Sequence, residues 1–246
     1  MTEKQTEYGR LIIGDKMKLF AEAVRLAVAA ESTSESQNFT WAFTGGSTPQ
    51  AWYTWAHETG AIPAAVMVKT NFTVSDERCV SLSSEDSNFG TAERKLLAPS
   101  EVPVEHRHPW VVAYEPAQAA EAYRRTMQLL NPPGEAYDVC FLGMGDDAHT
   151  ASFFPGSALL ESDGGVFFTA IETPQKGWRL TITPTGLQHS GLVVVMALGA
   201  GKATALKRVF EGDDTLLEAP AKILKTCAEK TVWLVDEAAA AELTGS

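Results

Sequence analysis

One short stretch combines residues that could do chemistry. Residues Gly143–Gly156 read GMGDDAHTASFFPG and follow the apolar run YDVCFL. A neutral imidazole, such as that of His149, can take a proton from water and return it to a leaving oxygen. Asp147 could orient this ring or a substrate, and nearby backbone N–H groups could stabilise an oxyanion. These residue types suit ester or lactone hydrolysis or proton transfer. Alternatively, Asp146 or Asp147 caps a following helix and His149 satisfies a buried carbonyl group.

A second stretch, TGGSTP at Thr44–Pro49, has the composition of an anion-binding turn. Glycines let backbone N–H groups approach an anion closely, and the start of a helix favours negative charge. Gly45 and Gly46 would form the turn, and Ser47 and Thr48 would provide an N-cap and first helical turn. The stretch is neither a Walker A loop nor a G-x-G-x-x-G fingerprint. A tight turn with an ordinary N-cap is the alternative.

Three basic residues could supply the positive charge that such a turn lacks. They are Arg78 in SDERC, and Lys176 and Arg179 in QKGWR. Arginine grips phosphate with two parallel hydrogen bonds, whereas lysine acts as a point charge. The alternative for Arg78 is a salt bridge with Asp76 or another carboxylate, and for the other two a solvated position in a loop.

The helices and strands that must position these loops are predicted from the spacing of apolar residues and from turn and helix-capping signals. A helical spacing of apolar residues or helix-start and helix-stop signals predict helices at Asp15–Ala30, Gln50–His57, Asn88–Leu97, Ala117–Leu130, Lys202–Phe210 and Glu237–Leu243. Short apolar runs predict strands at Phe39–Thr44, Asn71–Val74, Pro109–Ala113, Tyr137–Leu142, Val166–Ile171, Arg179–Thr183, Leu192–Leu198 and Val232–Val235.

This alternation predicts an α/β fold in one domain over residues 1–246, with about residues 1–9 as a flexible tail. Apolar strands separated by helices indicate a mainly parallel sheet that is covered on both faces. Ligands of such sheets bind outside the carboxyl ends of the strands. The loops that follow the strands are therefore the expected location of a site.

Composition narrows the classes of partner. The chain has 246 residues, is 45% hydrophobic, and carries a net charge of −11. This charge disfavours nucleic acid and anionic membrane surfaces as partners. The N-terminus lacks the apolar segment of a signal peptide, and the longest apolar run, of about nine residues, is too short to span a membrane. Three cysteines without a paired framework indicate a reducing compartment. We expect a soluble, cytoplasmic protein that acts on a small molecule.

Taken in order, these loops resemble the 6-phosphogluconolactonase family. The matching segments are Thr44–Pro49, Asp76–Val80, Asp86–Asn88, Gly143–Gly156, Lys176 and Arg179–Thr181, and the late run VWLVDEAAA is similar to the family's last strand and helix. The resemblance spans nearly the whole chain. It implies a Rossmann-like, mainly parallel sheet with helices on both faces, shared with glucosamine-6-phosphate deaminase and ribose-5-phosphate isomerase. It also implies hydrolysis of 6-phospho-D-glucono-1,5-lactone to 6-phosphogluconate in the pentose phosphate pathway, with no metal and no organic cofactor.

The resemblance also implies roles for individual residues. His149 would be the general base that activates water, and Asp147 would orient His149 or the sugar. The remaining assignments group by function. The substrate phosphate would be held by Arg78, Lys176 and Arg179, with help from Gly45, Gly46, Ser47 and Thr48, whereas Asp76, Gly143 and Gly145 would line the substrate pocket.

Two positions depart from the family pattern. Thr44 replaces a serine, and Ala148 stands where the family has glycine directly before the histidine. If this backbone position requires a positive φ, alanine there is strained by roughly 1 kcal/mol or more.

Two other functions remain as alternatives. A sugar-phosphate deaminase or isomerase could share the fold, but the run AHTASFFPG lacks the glutamate that the deaminase pattern places after its histidine. A non-catalytic sensor that binds phosphosugars is the other alternative. Such a protein would keep the phosphate-binding loops but would have lost the catalytic activity. The sequence leaves the oligomeric state open.

Overall fold

The computed structural model describes residues 1–36, 38–174 and 176–244. Its strands are β1 (Thr2–Thr6), β2 (Gly9–Gly14), β3 (Thr40–Phe43), β4 (Asn71–Val74), β5 (Asp76–Arg78), β6 (Val139–Gly143), β7 (Phe168–Thr173), β8 (Gly177–Ile182), β9 (Leu192–Ala197) and β10 (Thr231–Asp236). Its α-helices are α1 (Lys16–Thr33), α2 (Ser47–Thr59), α3 (Ala64–Met67), α4 (Asn88–Ala92), α5 (Pro116–Leu130), α6 (Pro184–Gln188) and α7 (Ala203–Phe210). A π-helical segment follows α4 at Glu93–Leu97, and 3-10 helices cover Val104–His106, Ala158–Leu160, Ala200–Lys202 and Pro220–Lys230.

The main sheet has seven strands in the order β1-β2-β10-β9-β6-β3-β4. Its neighbouring strands run parallel except for β1 and β2. Every residue of β3 and of β4 is buried. Because successive side chains of a strand point to opposite faces, both faces of the sheet are covered there. The predicted α/β fold with a Rossmann-like, mainly parallel sheet is confirmed.

A second sheet contains β5, β8 and β7, and all of its pairs are antiparallel. Strands were predicted near the positions of β7 and β8, but as members of one parallel sheet. Only three residues separate Thr173 from Gly177. A parallel pair needs a crossover of a dozen or more residues, so these strands must form a hairpin.

Residues predicted to form a flexible N-terminal tail instead form β1 and the first residue of β2. Thr2 pairs with Ile13 and Thr6 with Gly9, and β2 is largely buried beside β10. A polar edge strand of this kind carries little apolar signal, since only its pairing with β2 orders it. The single domain stays a prediction, supported by one hydrophobic cluster that runs from Tyr8 to Leu243.

Two further predictions were wrong. Residues 109–113 run irregularly into a turn instead of forming a strand, because Pro109 cannot donate to a ladder and the backbone N–H of Val112 bonds to Trp110 O. Residues 237–243 form turns and bends instead of a helix. Asp236 accepts a hydrogen bond from Ala239 N at 2.8 Å, but one such turn is too short to propagate a helix.

None of the helices in the described part of the chain is both long enough and apolar enough to cross a membrane.

Candidate active site

A cavity of about 220 Å³ opens where β3, β4, β6 and β9 end. The strands β3 and β6 are neighbours, and the chain continues from β3 to β4 and from β6 to β9 in opposite directions along the strand order. Loops that diverge in this way create a crevice at the carboxyl edge, where α/β proteins bind ligands. Seven of the predicted site residues line the cavity: Gly45, Gly46, Asp76, Arg78, Gly143, Gly145 and His149.

His149 and Asp147 form a hydrogen-bonded pair after β6. His149 Nδ1 lies 2.5 Å from Asp147 Oδ1, which also accepts from His149 N at 3.1 Å. The hydrogen bond from the imidazole holds the pKa of Asp147 well below its ordinary value, and the charge of Lys176 acts in the same direction. An ionised carboxylate only accepts hydrogen bonds, so Nδ1 carries the proton of the neutral ring. The lone pair is then on Nε2.

The helix cap proposed as the alternative for this loop does not form. Residues 146–148 make a turn and bend, and the chain bends back so that Gly145 N donates to His149 O at 2.8 Å. Thr150 Oγ1 donates to Gly143 O at 2.8 Å and fixes the base of the loop to the end of β6. The two acidic residues therefore face side-chain partners and not the start of a helix.

Gly145 leaves the space that this pair occupies. A Cβ atom at Gly145 would lie 2.0 Å from His149 Nδ1 and 2.5 Å from Asp147 Oδ1. Both distances are far below a van der Waals contact. A glycine is therefore needed at position 145, because the His149 ring packs directly against the backbone there.

Ala148 adopts the backbone conformation that the comparison with the family pattern predicted as costly. Its φ is +64°, and the residue is fully buried. Ala148 O accepts a hydrogen bond from Ala221 N at 2.9 Å, and Ala148 N donates to Gly145 O at 3.0 Å. These bonds hold the loop in a left-handed conformation that an L-residue otherwise avoids.

The glycine turn after β3 leads directly into α2. Gly46 is the N-cap, with φ of +107°, and its carbonyl accepts the first helical bond from Gln50 N. Ser47 and Thr48 lie in the first helical turn, as predicted, but neither of them is the predicted N-cap. A helix of 13 residues therefore begins at the cavity, with its positive end towards it.

Gly45 is required for a different reason. A Cβ at this position would lie 1.9 Å from Asn88 Oδ1. Asn88 Nδ2 donates to Asp76 O at 2.7 Å and to Asp76 Oδ1 at 3.3 Å, and Ser152 Oγ donates to Asp76 Oδ2 at 2.8 Å. Asn88 thus connects the glycine turn to a carboxylate that is itself held in the cavity wall.

The predicted arginines lie side by side on the small sheet. Arg78 in β5 pairs with Arg179 in β8, and Arg78 Nη1 donates to Asp86 O at 2.5 Å. Burial, and then the positive charge of Arg78, lowers the pKa of Arg179. Of these two residues, Arg78 lines the cavity. Beneath them, Glu77 accepts hydrogen bonds from Asn88 N and Phe89 N at the start of α4, and burial raises the pKa of its carboxyl group.

Lys176 lies next to the His149–Asp147 pair. Its Nζ is 4.0 Å from Asp147 Oδ2 and 4.0 Å from the centre of the Phe154 ring. The same ring packs against His149, with centroids 4.4 Å apart. This position explains the effect of Lys176 on Asp147, and the phosphate-binding roles of Lys176 and Arg179 remain predictions.

Lys202 is a cavity residue that the sequence analysis missed. It ends the 3-10 helix Ala200–Lys202 after β9, and its Nζ lies 2.5 Å from Asp146 Oδ1. The available signal was the run Gly199–Lys202, in which glycines follow a strand, as Gly45 and Gly46 follow the strand before Thr44–Pro49. Asn88, Met144 and Ala151 also line the cavity.

The arrangement suits base-catalysed attack by water on a phosphorylated ester. A carboxylate orients the imidazole, which lines the same cavity as two cationic side chains and the start of a helix. Within the described residues, no group of three or more His, Cys, Asp or Glu side chains is arranged to hold a metal ion.

Comparison with known proteins identifies the family. The 6-phosphogluconolactonase of a Nostoc species is 32% identical over 240 residues, which cover 95% of this chain and 97% of that protein. The 6-phosphogluconolactonase of a Synechocystis species is 30% identical over 87% of this chain and 88% of that protein. The structure of 6-phosphogluconolactonase from Trypanosoma brucei, 27% identical, superposes with a TM-score of 0.82 over 99% of this chain and 100% of its own. A family model described as glucosamine-6-phosphate isomerases/6-phosphogluconolactonase matches residues 15–233, and the chain belongs to this family.

Proposed function

We propose that this protein hydrolyses 6-phospho-D-glucono-1,5-lactone to 6-phosphogluconate in the pentose phosphate pathway. The observation that carries the proposal is that His149, paired with Asp147, lines the same cavity as Arg78 and Lys202. The names of the relatives supply the substrate, since residue chemistry alone indicates only a phosphorylated ester. The proposal includes a cytoplasmic location and a reaction without a metal or organic cofactor.

His149 acts as the base in this mechanism. Asp147 accepts the hydrogen bond from Nδ1, so Nε2 takes a proton from water as the water oxygen attacks the lactone carbonyl carbon. The carbonyl oxygen becomes an oxyanion in the tetrahedral intermediate. As the bond from the carbonyl carbon to the ring oxygen breaks, the imidazolium returns its proton to that oxygen. The products are one carboxylic acid and one hydroxyl group, and the neutral ring is restored.

The substrate phosphate would be bound across the cavity by Arg78, Lys202 and the start of α2. A phosphate gains from the backbone N–H groups and the dipole at a helix start, and from charge-assisted hydrogen bonds to both cations. Gly46 keeps this helix start accessible, because it carries no side chain at the N-cap. A local positive cluster is necessary, since the protein as a whole carries a net charge of −11 and repels an anion at long range.

The test is the loss of freshly generated lactone, with the rate of spontaneous hydrolysis subtracted. The wild type is compared with His149→Ala and with the control His57→Ala, which removes an exposed histidine that contacts Ser100. We expect the His149 variant to lose about a hundredfold or more of the activity, as for a general base, and the control to keep it.

The same assay with the lactone that lacks phosphate tests the basic cluster. Activity that depends on the phosphate supports the proposed contacts. If the wild type binds 6-phosphogluconate but hydrolyses the lactone no faster than buffer does, the protein is a sensor of phosphosugars and the proposal is wrong.

A further inference from the structure

We infer that Asp146 weakens the binding of phosphorylated ligands by competing with their phosphate for Lys202. The inference rests on the proposed function, because it concerns the same cavity and the same substrate. Asp146 would thus be a positioning residue that acts through the Lys202 ammonium group, without contact with the reacting atoms.

The two adjacent aspartates after β6 serve different partners. Asp147 pairs with His149, whereas Asp146 Oδ1 lies 2.5 Å from Lys202 Nζ. The Asp146 side chain is 76% exposed, but that of Lys202 is only 25% exposed and lines the cavity. The ion pair therefore bridges the loops after β6 and β9 at the rim of the cavity. An exposed carboxylate thus faces a cation that is largely buried in the cavity wall.

A phosphate that binds Lys202 meets this carboxylate. The ammonium group has three N–H donors, and the pairing with Asp146 uses one of them. A phosphate dianion on the same ammonium would be held within a few ångströms of a second negative charge, and like charges at this separation repel. Because Asp146 is exposed, solvent screens the repulsion, and its effect on affinity should be about two- to fivefold, the range of an exposed ion pair.

The same repulsion would act on substrate and product alike. Hydrolysis of the lactone leaves the phosphate in place and adds a carboxylate, so the product is the more strongly charged anion. A residue that lowers affinity for phosphorylated ligands promotes product release while raising KM. Asp146 would therefore speed product release at the expense of affinity for the substrate.

The experiment compares Asp146→Asn with Asp213→Asn, which makes the same change in net charge at an exposed aspartate in another loop. KM and kcat are measured with the lactone and with its phosphate-free form, and the Kd of 6-phosphogluconate is measured by calorimetry. We expect Asp146→Asn to lower KM for the phosphorylated lactone and Kd by about two- to fivefold. KM for the phosphate-free lactone should stay unchanged in Asp146→Asn. In Asp213→Asn, KM for the phosphorylated lactone and the Kd of 6-phosphogluconate should both stay unchanged. In a Lys202→Met background the effect of Asp146→Asn should vanish.

An unchanged or raised Kd in Asp146→Asn would overturn the inference, as would an equal effect on the phosphate-free lactone or an effect that persists without Lys202. The outcome is separable from that of the proposed function. If the wild type binds 6-phosphogluconate without hydrolysing the lactone, the proposed function fails, and the calorimetric comparison still decides the role of Asp146.

Discussion

The substitution Gly145→Ala places one methyl group where the His149–Asp147 pair lies. Its Cβ would be 2.0 Å from His149 Nδ1, 2.2 Å from His149 Cε1 and 2.5 Å from Asp147 Oδ1. An ordinary contact is about 3.5 Å, so the ring must move by roughly 1.5 Å to accommodate the methyl group. That movement breaks the hydrogen bond of 2.5 Å between the two side chains. A misplacement of about 1 Å typically costs on the order of a hundredfold in rate.

We therefore expect Gly145→Ala to lower kcat by about a hundredfold or more, with a smaller effect on KM. The fold should survive, because the side chains of His149 and Asp147 are 27% and 41% exposed and can swing towards solvent. The assay is the loss of lactone, corrected for spontaneous hydrolysis, together with a thermal melting curve. The matched control is Gly201→Ala in the 3-10 helix Ala200–Lys202, where an added Cβ would have no other heavy atom within 4 Å.

Two results would refute this reasoning. One is a Gly145→Ala enzyme whose kcat stays within about threefold of the wild type, far less than a displaced base allows. The other is an equal loss in Gly201→Ala, which would show that an added methyl group lowers kcat for reasons unrelated to the histidine. A large fall in melting temperature confined to Gly145→Ala would mean that the loss of kcat comes from a destabilised fold and not from the displacement of His149.

Three further outcomes are expected. Asp147→Asn should lower kcat by about 10²–10⁴-fold, because an amide can donate to Nδ1 and so favour the wrong tautomer. Since His149 holds the pKa of Asp147 well below its ordinary value, this carboxylate stays charged on mild acidification. A plot of log kcat against pH for the wild type should therefore fall on its acidic side with a slope of no more than one. Ala148→Gly should change the free energy of unfolding by less than about 1 kcal/mol, because relief of strain is offset by the lost methyl burial and the freer unfolded chain. Lys202→Met should raise KM for the phosphorylated lactone by about tenfold or more and leave the phosphate-free lactone unaffected.

Each of these outcomes has a clear contrary. An Asp147→Asn enzyme with wild-type kcat would show that the pair does not set the tautomer. Uptake of a second proton along the acidic limb would mean that the Asp147 carboxylate is not held in its charged form. Chemical denaturation that finds Ala148→Gly more than about 2 kcal/mol more stable would mean that the positive φ costs more than such positions usually do. Equal KM changes for both lactones in Lys202→Met would remove Lys202 from the phosphate contacts.

Local patterns predicted five of the seven strands of the main sheet, β3, β4, β6, β9 and β10, but not β1 and β2. The predicted bounds of β4 are those of the structure, and α5 was predicted within one residue of its start, because its apolar spacing and the Pro-rich end are local signals. The loop after β6 was predicted as the site for a similar reason. Its residue types are unusual and stand next to each other in the chain.

Features that depend on the pairing between strands were not predictable. The strand β1 is polar, and only its ladder with β2 reveals it. Lys202 looks like the first residue of a helix, and it becomes a cavity residue only because β9 lies beside β6 in the sheet. Sequence periodicity reports which face of an element is buried, whereas strand order is a property of the whole chain.

The order of the strands also explains how one small cavity brings together the proposed base and the groups proposed to bind the phosphate. The strand β6 lies between β9 and β3, and all three run parallel. Their carboxyl ends therefore meet at one edge, where β6 contributes His149, β3 the glycine turn and β9 Lys202. His149 thus lies between two groups that favour an anion. A substrate with an ester carbonyl at one end and a phosphate at the other engages all three strands at once, whereas a substrate that lacks either group leaves part of the cavity unused.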